Sequence, residues 1–314
     1  MQVLLNETGP QALRRVNAPS KQSKATAPPD RQCRQASAWL RARILEGRAG
    51  CSRTTLDRAL AFHFAKQGSQ KRMRLALETG NALAIDTHCL LRIAASCEII
   101  HNASLIHDDL QDRQRCRRDQ EALWQRFGPD VAICAGDYLL SRAYSLLAET
   151  KRNPAELISI THQAVARLIR GQCQDLDQRR RAACGPARCR EIAIAKSADL
   201  IALPVDLCLV SAGKTQHRQT VRDIAEDLAV GYQAMDDIHD QSDDELVGSP
   251  NLVNALAKRY ANPVRRAESI ARQSLEQAKQ RAETLPRAIG GCLAEMATHL
   301  LDALCDQSTE ASSP

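Results

Sequence analysis

Beyond about residue 35, apolar residues recur at intervals of three and four, and no two-residue alternation persists for more than a few positions. That period belongs to amphipathic helices, not to half-buried strands. It predicts helices near 36–47, 52–66, 71–80, 85–110, 119–126, 129–149, 154–178, 187–211, 218–241, 250–259, 262–283 and 286–305. Breakers separate them, notably Asn153-Pro154, Gly185-Pro186, Gly248-Ser249-Pro250 and Asn262-Pro263. Residues 1–34 lack the period and carry Pro10, Pro19, Pro28 and Pro29 among polar residues. The expected organisation is a flexible extension over 1–34, one large all-α domain over 35–308 and a tail over 309–314.

Two of the apolar stretches end in the same acidic pattern, at Asp108, Asp109 and Asp112 and again at Asp236, Asp237 and Asp240. Positions i, i+1 and i+4 of a helix fall within one sector, so each pattern presents three carboxylates on one face. Like charges crowded in this way repel unless cations sit among them. Hard oxygen ligands of this kind suit Mg²⁺, which completes its shell with water and substrate phosphates. A solvated acidic face is the plainer reading of one such run. Two runs, each closing an apolar helix, favour metal and phosphate. The alternating oxygen ligands, central Gly and terminal Glu of a calcium-binding EF-hand loop are absent from both.

With these residues in view, the chain resembles the trans-isoprenyl diphosphate synthases, or polyprenyl synthetases, over roughly residues 60–260. Lys71 and Arg74 stand where that family grips a homoallylic diphosphate, and His101 matches a His or Gln that helps to hold it. Arg117 and Arg118 match its Arg pair after the first acidic motif. Gly171, Gln172 and Asp175 are similar to its Gly-Gln-x-x-Asp, Lys196-Ser197 to its Lys-Thr, and Gln233 to the Gln preceding the second motif. Guanidinium forks and ammonium groups are the side chains that diphosphates require.

The resemblance implies helices around a central cavity, Mg²⁺ held by the six aspartates at about three ions per site, and condensation of isopentenyl diphosphate with an allylic diphosphate. It also implies a homodimer. Lys196, Ser197 and Gln233 would lie beside an allylic cation, with Asp175 and Gln172 orienting Lys196 or metal-bound water. Family members stop short products with a Phe or Tyr four or five positions before the first motif. Here those positions are Ser104 and Ala103, so growth is expected to pass fifteen carbons and reach geranylgeranyl diphosphate, with a longer quinone-type chain as the alternative and Ile100 and Ile99 deeper on the same face.

Two departures qualify the match. The family's Gly-Gly before Lys71 is replaced by Ser69-Gln70, and its Lys after the second motif is missing until Lys258 or Arg259. They keep open a class I terpene cyclase or an irregular coupling enzyme on the same scaffold. A non-catalytic regulatory subunit would be expected to have lost aspartates that this chain retains. His107 and His239, each beside a motif, read as hydrogen-bonded helix-end residues.

Composition narrows the partners. Hydrophobic residues make up 44% but aromatics only 3%, and the net charge of +6 is spread out. Without aromatic platforms, nucleic acid is not an expected partner. No stretch is read as a membrane span, and no signal-peptide core is evident; the basic, acid-poor start permits a transit peptide. The twelve cysteines lack a metal-type spacing and read as free thiols in a reducing cytoplasm. Cys184 and Cys189 bracket a Gly-Pro turn but have no evident partners for a zinc site.

Overall fold

The computed structural model describes residues 29–45, 54–66, 68–117, 120–179, 184–241 and 249–310. Among them are twelve α-helices: α1 Pro29–Leu45, α2 Thr55–His63, α3 Lys71–Ala82, α4 Thr87–Gln111, α5 Leu123–Phe127, α6 Pro129–Ala148, α7 Pro154–Arg179, α8 Pro186–Ser211, α9 Arg218–His239, α10 Leu252–Ala257, α11 Pro263–Glu283 and α12 Arg287–Glu310. A hairpin of two-residue strands, β1 Cys116–Arg117 and β2 Gln120–Glu121, pairs Arg117 with Gln120. The all-α expectation holds.

Local chemistry sets most helix starts. Thr54 and Asp57 form a reciprocal capping box on α2, Asp86 caps α4, and Asn251 and Asn262 cap α10 and α11. Proline opens α6, α8 and α11, where its missing N–H costs nothing. One expectation needs correction. Helix α1 begins at Pro29, ahead of the periodicity, and Cys33 is buried while Asn81 donates to Gln32, so 29–34 belongs to the folded body. Helices α4 and α12, over Thr87–Gln111 and Arg287–Asp306, are long and apolar enough to cross a membrane by length and composition; the apolar stretch of the first is 78% buried within the protein and that of the second 33%.

Helix α8 divides the core. Leu200, Leu203 and Leu207 join an apolar cluster with α1–α4, α6 and α7, whereas Ile201, Val205 and Leu209 join another with α9–α12. A helix apolar on all sides must be central. Helix α4 is also buried on most faces, from Cys89 to Asp109. The C-terminal ends of α4, α7 and α9 and the first turns of α8 converge beside this core.

Helices α7 and α8 pack closely at Gly171, where an added Cβ would lie 2.4 Å from the backbone oxygen of Ala195. Backbone cannot yield as a side chain can. Gly171→Ala is therefore expected to push the helices apart and cost about 1–3 kcal/mol, measured by denaturant unfolding; an unchanged midpoint would contradict this packing.

Candidate active site

A cleft of about 410 Å³ opens where these helix ends meet. Asp108 and Asp112 at the end of α4 face Asp236, Asp237 and Asp240 at the end of α9 across it, and Asp175, Arg179, Lys196, Arg117 and Gln233 complete the lining. The helical repeat predicted from sequence does bring both acidic faces to one space.

Charge balance inside the cleft is local. Asp175 Oδ2 accepts from both Lys196 Nζ at 2.9 Å and Arg179 Nη2 at 2.8 Å, and Arg179 Nη1 reaches Asp112 Oδ1 at 2.9 Å. Burial pushes the Asp175 carboxyl up, but Lys196 and Arg179 outweigh it and hold it below its ordinary value. Asp108 is pushed up to about 6 by burial and by Asp112, against the pull of Lys196 and Arg117. Lys196 is itself kept charged: burial pulls its pKa down, and Asp175, Asp108 and Asp112 raise it above the ordinary lysine value.

Not every predicted ligand faces the cleft with open oxygens. Asp109 is buried and accepts from Arg117 Nε at 2.7 Å, while Arg117 also donates to Gln114 Oε1 at 3.0 Å. Asp237 accepts from the Leu252 amide at 2.7 Å and from Gln233 Nε2 at 2.7 Å, which ties the end of α9 to the start of α10. Asp109 and Asp237 thus also serve as structural anchors, and Asp108, Asp112, Asp236 and Asp240 line the cleft as ligand candidates, Asp112 in contact with Arg179.

Among the described residues no three acidic, His or Cys groups converge as a ready-made metal cage. Mg²⁺ seldom needs one, because one or two carboxylates, water and substrate phosphates suffice. Outer carboxylates on two walls of a shared cleft, one of them protonated far more readily than usual, fit that requirement.

Several assignments from sequence shift. Gln172 donates to Gln111 Oε1 at 2.9 Å on the exposed rim and does not line the cleft. Ser197, one residue beyond Lys196, points around α8 into a second cavity with Lys71, Arg72, Leu200, Tyr232 and Met296. Its buried hydroxyl has no hydrogen-bond partner. Arg74 is exposed on α3 near Cys33, whereas Arg72 lines the second cavity with Nη1 3.4 Å from His101 Nε2. Beside it, burial and the neighbouring Arg72 lower the Lys71 pKa to about 8. Arg118 lies outside the described residues.

Ala103 is fully buried in the α4 core and Ser104 is half-buried with its hydroxyl bonded to His101 O at 2.9 Å; neither borders the two cavities. Lys258 and Arg259 are exposed at the end of α10 and do not line the cleft either. His239 Nδ1 bonds Met235 O at 2.9 Å, as a helix-end residue should. The cation that sequence reading missed is Arg179. Its signal was available as the i, i+4 pair with Asp175 on α7.

The comparisons with known proteins agree on one scaffold. A family model described as "Polyprenyl synthetase" matches residues 53–259. The (2E,6E)-farnesyl diphosphate synthase of Mycobacterium tuberculosis is 29% identical over 201 residues, 63% of this chain and 56% of that protein. The octaprenyl diphosphate synthase of Haemophilus influenzae is 28% identical over 247 residues, covering 74% and 72%. The chain thus spans little more than half the length of the first of these relatives. Among solved structures, the geranylgeranyl pyrophosphate synthetase of the archaeon Geoglobus acetivorans superposes with a TM-score of 0.75 at 22% identity, covering 86% of this chain and 98% of that one.

The Asp108 proton gives a test of the cleft's electrostatics. The folded protein binds it more tightly than the unfolded chain, so stability without metal falls as pH rises from 3.8 to about 6. Above that window Asp108→Asn is expected to raise the unfolding free energy of the metal-free protein by about 1–3 kcal/mol, and below it to change little. A variant no more stable than wild type at neutral pH would contradict the burial of this carboxylate.

Proposed function

The chain belongs to the polyprenyl synthetase family, and from that premise we propose that it is a trans-prenyltransferase that joins isopentenyl diphosphate to an allylic diphosphate. The observation that carries this reading is the opposition of Asp108 and Asp112 to Asp236 and Asp240 across a cleft that also holds Lys196, Arg179 and Arg117. Mg²⁺ held by those outer carboxylates would neutralise charge on the departing diphosphate. Lys196 and Arg179, already fixed by Asp175, are positioned to donate to the same diphosphate oxygens. In this reading Arg179 supplies the positive charge that a Lys after the second motif would otherwise bring.

The acceptor's diphosphate would be held by Lys71, Arg72 and His101, with its double bond directed toward the allylic carbon in the cleft. As the allylic C–O bond breaks, its electron pair leaves with the diphosphate. The double bond of isopentenyl diphosphate then attacks the allylic carbon, and the proton lost from the adjacent carbon goes to the departing diphosphate. The Gln233 amide, anchored through Nε2 on Asp237, leaves its carbonyl oxygen as a dipole that stabilises the cation without capturing it.

We propose a twenty-carbon product from the small residues at Ala103 and Ser104 on α4, although neither borders the two cavities and the relatives' printed products range from farnesyl to decaprenyl. The exposed Ile133 on α6 and that helix's small residues support a homodimer, and the unbridged cysteines among the described residues support a reducing cytoplasm.

The direct test is incubation of purified protein with Mg²⁺, isopentenyl diphosphate and each allylic primer in turn, with products identified by mass. Linear growth in five-carbon steps is expected. Cyclic or branched hydrocarbon formed without isopentenyl diphosphate would replace this reading with a terpene cyclase or coupling enzyme. Asp236→Ala should remain helical and lose at least about a hundredfold in turnover at saturating Mg²⁺; near-normal turnover would refute the metal assignment.

Product length is tested by Ala103→Phe and, because that site is tightly packed, by Ser104→Phe as well. Either folded variant should shorten the product by one or more five-carbon units. Unchanged lengths in both would remove this face of α4 from the tail path. Light scattering at micromolar concentration should give twice the chain mass; a monomer would overturn the dimer.

A further inference from the structure

Cys184 and Cys189 flank the start of α8 (Pro186–Ser211), with Gly185 at its N-cap and Pro186 at its first position. Cys184 is therefore the residue before the cap and Cys189 the fourth residue of the helix. Those are the two positions at which an apolar pair clasps a helix start and fixes the direction from which the chain arrives. Here the clasp consists of two thiols, with sulfurs 3.2 Å apart. Cys184 is partly exposed and Cys189 is buried.

Cys189 also belongs to two walls. It lines the acidic cleft and, on its other side, an apolar cavity of about 250 Å³ bounded by Ala187, Val230, Ala234 and Leu252. Lys196 stands seven residues, about two turns, further along the same face of α8. Whatever holds Cys189 therefore also holds the wall that carries Lys196.

We propose that this thiol clasp is a redox-active modification site, which a small-molecule disulfide such as glutathione disulfide converts into a Cys184–Cys189 bridge. The exposed Cys184 thiolate attacks glutathione disulfide, forming a mixed disulfide and releasing one glutathione. Cys189 then attacks the Cys184 sulfur and releases the second. Two protein thiols are oxidised by two electrons, the oxidant is reduced to two thiols, and the protons from the cysteines end on glutathione. The sulfurs need approach only from 3.2 Å to about 2.05 Å. Other cysteine contacts among the described residues join no second thiol to the clasp: Cys89 pairs with Ser211 Oγ, Cys208 with Ala76 O and Cys305 with Arg272. Burial pushes both thiols of the clasp above the ordinary cysteine pKa, Cys189 further than Cys184, so the exposed partner is the one that reacts first.

The full-length protein, equilibrated in glutathione buffers from reducing to oxidising, quenched in acid and alkylated, tests this without any activity measurement. Trypsin cuts after Arg188, between the two cysteines, so a bridge joins two peptides that otherwise separate. The expected result is that joined pair, two hydrogens lighter than the sum of its parts and split by dithiothreitol. It should be accompanied by an upward shift of the melting midpoint that Cys184→Ser abolishes. Cys189→Ser should instead leave a persistent glutathione adduct on Cys184; if that buried variant does not fold, Cys184→Ser alone carries the comparison. Glutathione adducts without the joined peptides at every buffer ratio would overturn the proposal, as would a bridge between other cysteines. Because the readouts are mass and melting, failure here is separable from failure of the prenyltransferase reading.

Discussion

A single carboxylate oxygen, Asp175 Oδ2, takes hydrogen bonds from both Lys196 and Arg179, and the arrangement of the cleft depends on that sharing. Without it, Lys196 would lose the hydrogen bond that places it in the cleft, and Arg179 would keep only its contact with Asp112. Unpaired buried charge is too costly to persist. With it, Lys196 on α8 and Arg179 on α7 are held at set positions opposite α4 and α9. The close approach of α7 to α8 at Gly171 makes the contact reachable.

The same economy governs the aspartates. In each motif the middle residue is used for structure, Asp109 gripping Arg117 and Asp237 gripping the first turn of α10. That leaves the i and i+4 carboxylates stacked on one face, the arrangement best suited to share a cation with a phosphate. The burial that raises Asp108 to about 6 is a cost the folded protein carries in the absence of positive charge from outside. A site built this way should bind metal and diphosphate together more readily than either alone.

Much of this was legible in the sequence because helical periodicity is local. The repeat fixed which aspartates share a face, and prolines and caps fixed where most helices start. What the sequence hid was direction around a helix combined with contacts from distant segments. Lys196 and Ser197 are neighbours in the chain yet open into different cavities, since one residue turns the helix by about 100°. Arg72 meets His101 and lines the second cavity, whereas Arg74, to which the family pattern pointed, lies exposed on α3. Asp109 and Asp237 could be told from their neighbours only once Arg117 and Leu252 were in place. The helix over 29–34 was invisible because its polar residues carry little period, although Cys33 is buried against the core.

The cleft is built to accept metal and diphosphate as one charge-balanced unit. Calorimetric titration of inorganic diphosphate into the protein, with Mg²⁺ and with chelator, measures that coupling directly. Binding is expected to be at least about tenfold tighter with Mg²⁺, with loss of that gain in Asp236→Ala. Equal affinity with and without the metal would mean that Lys196, Arg179 and Arg117 bind the anion by themselves and that the opposed aspartates serve another purpose.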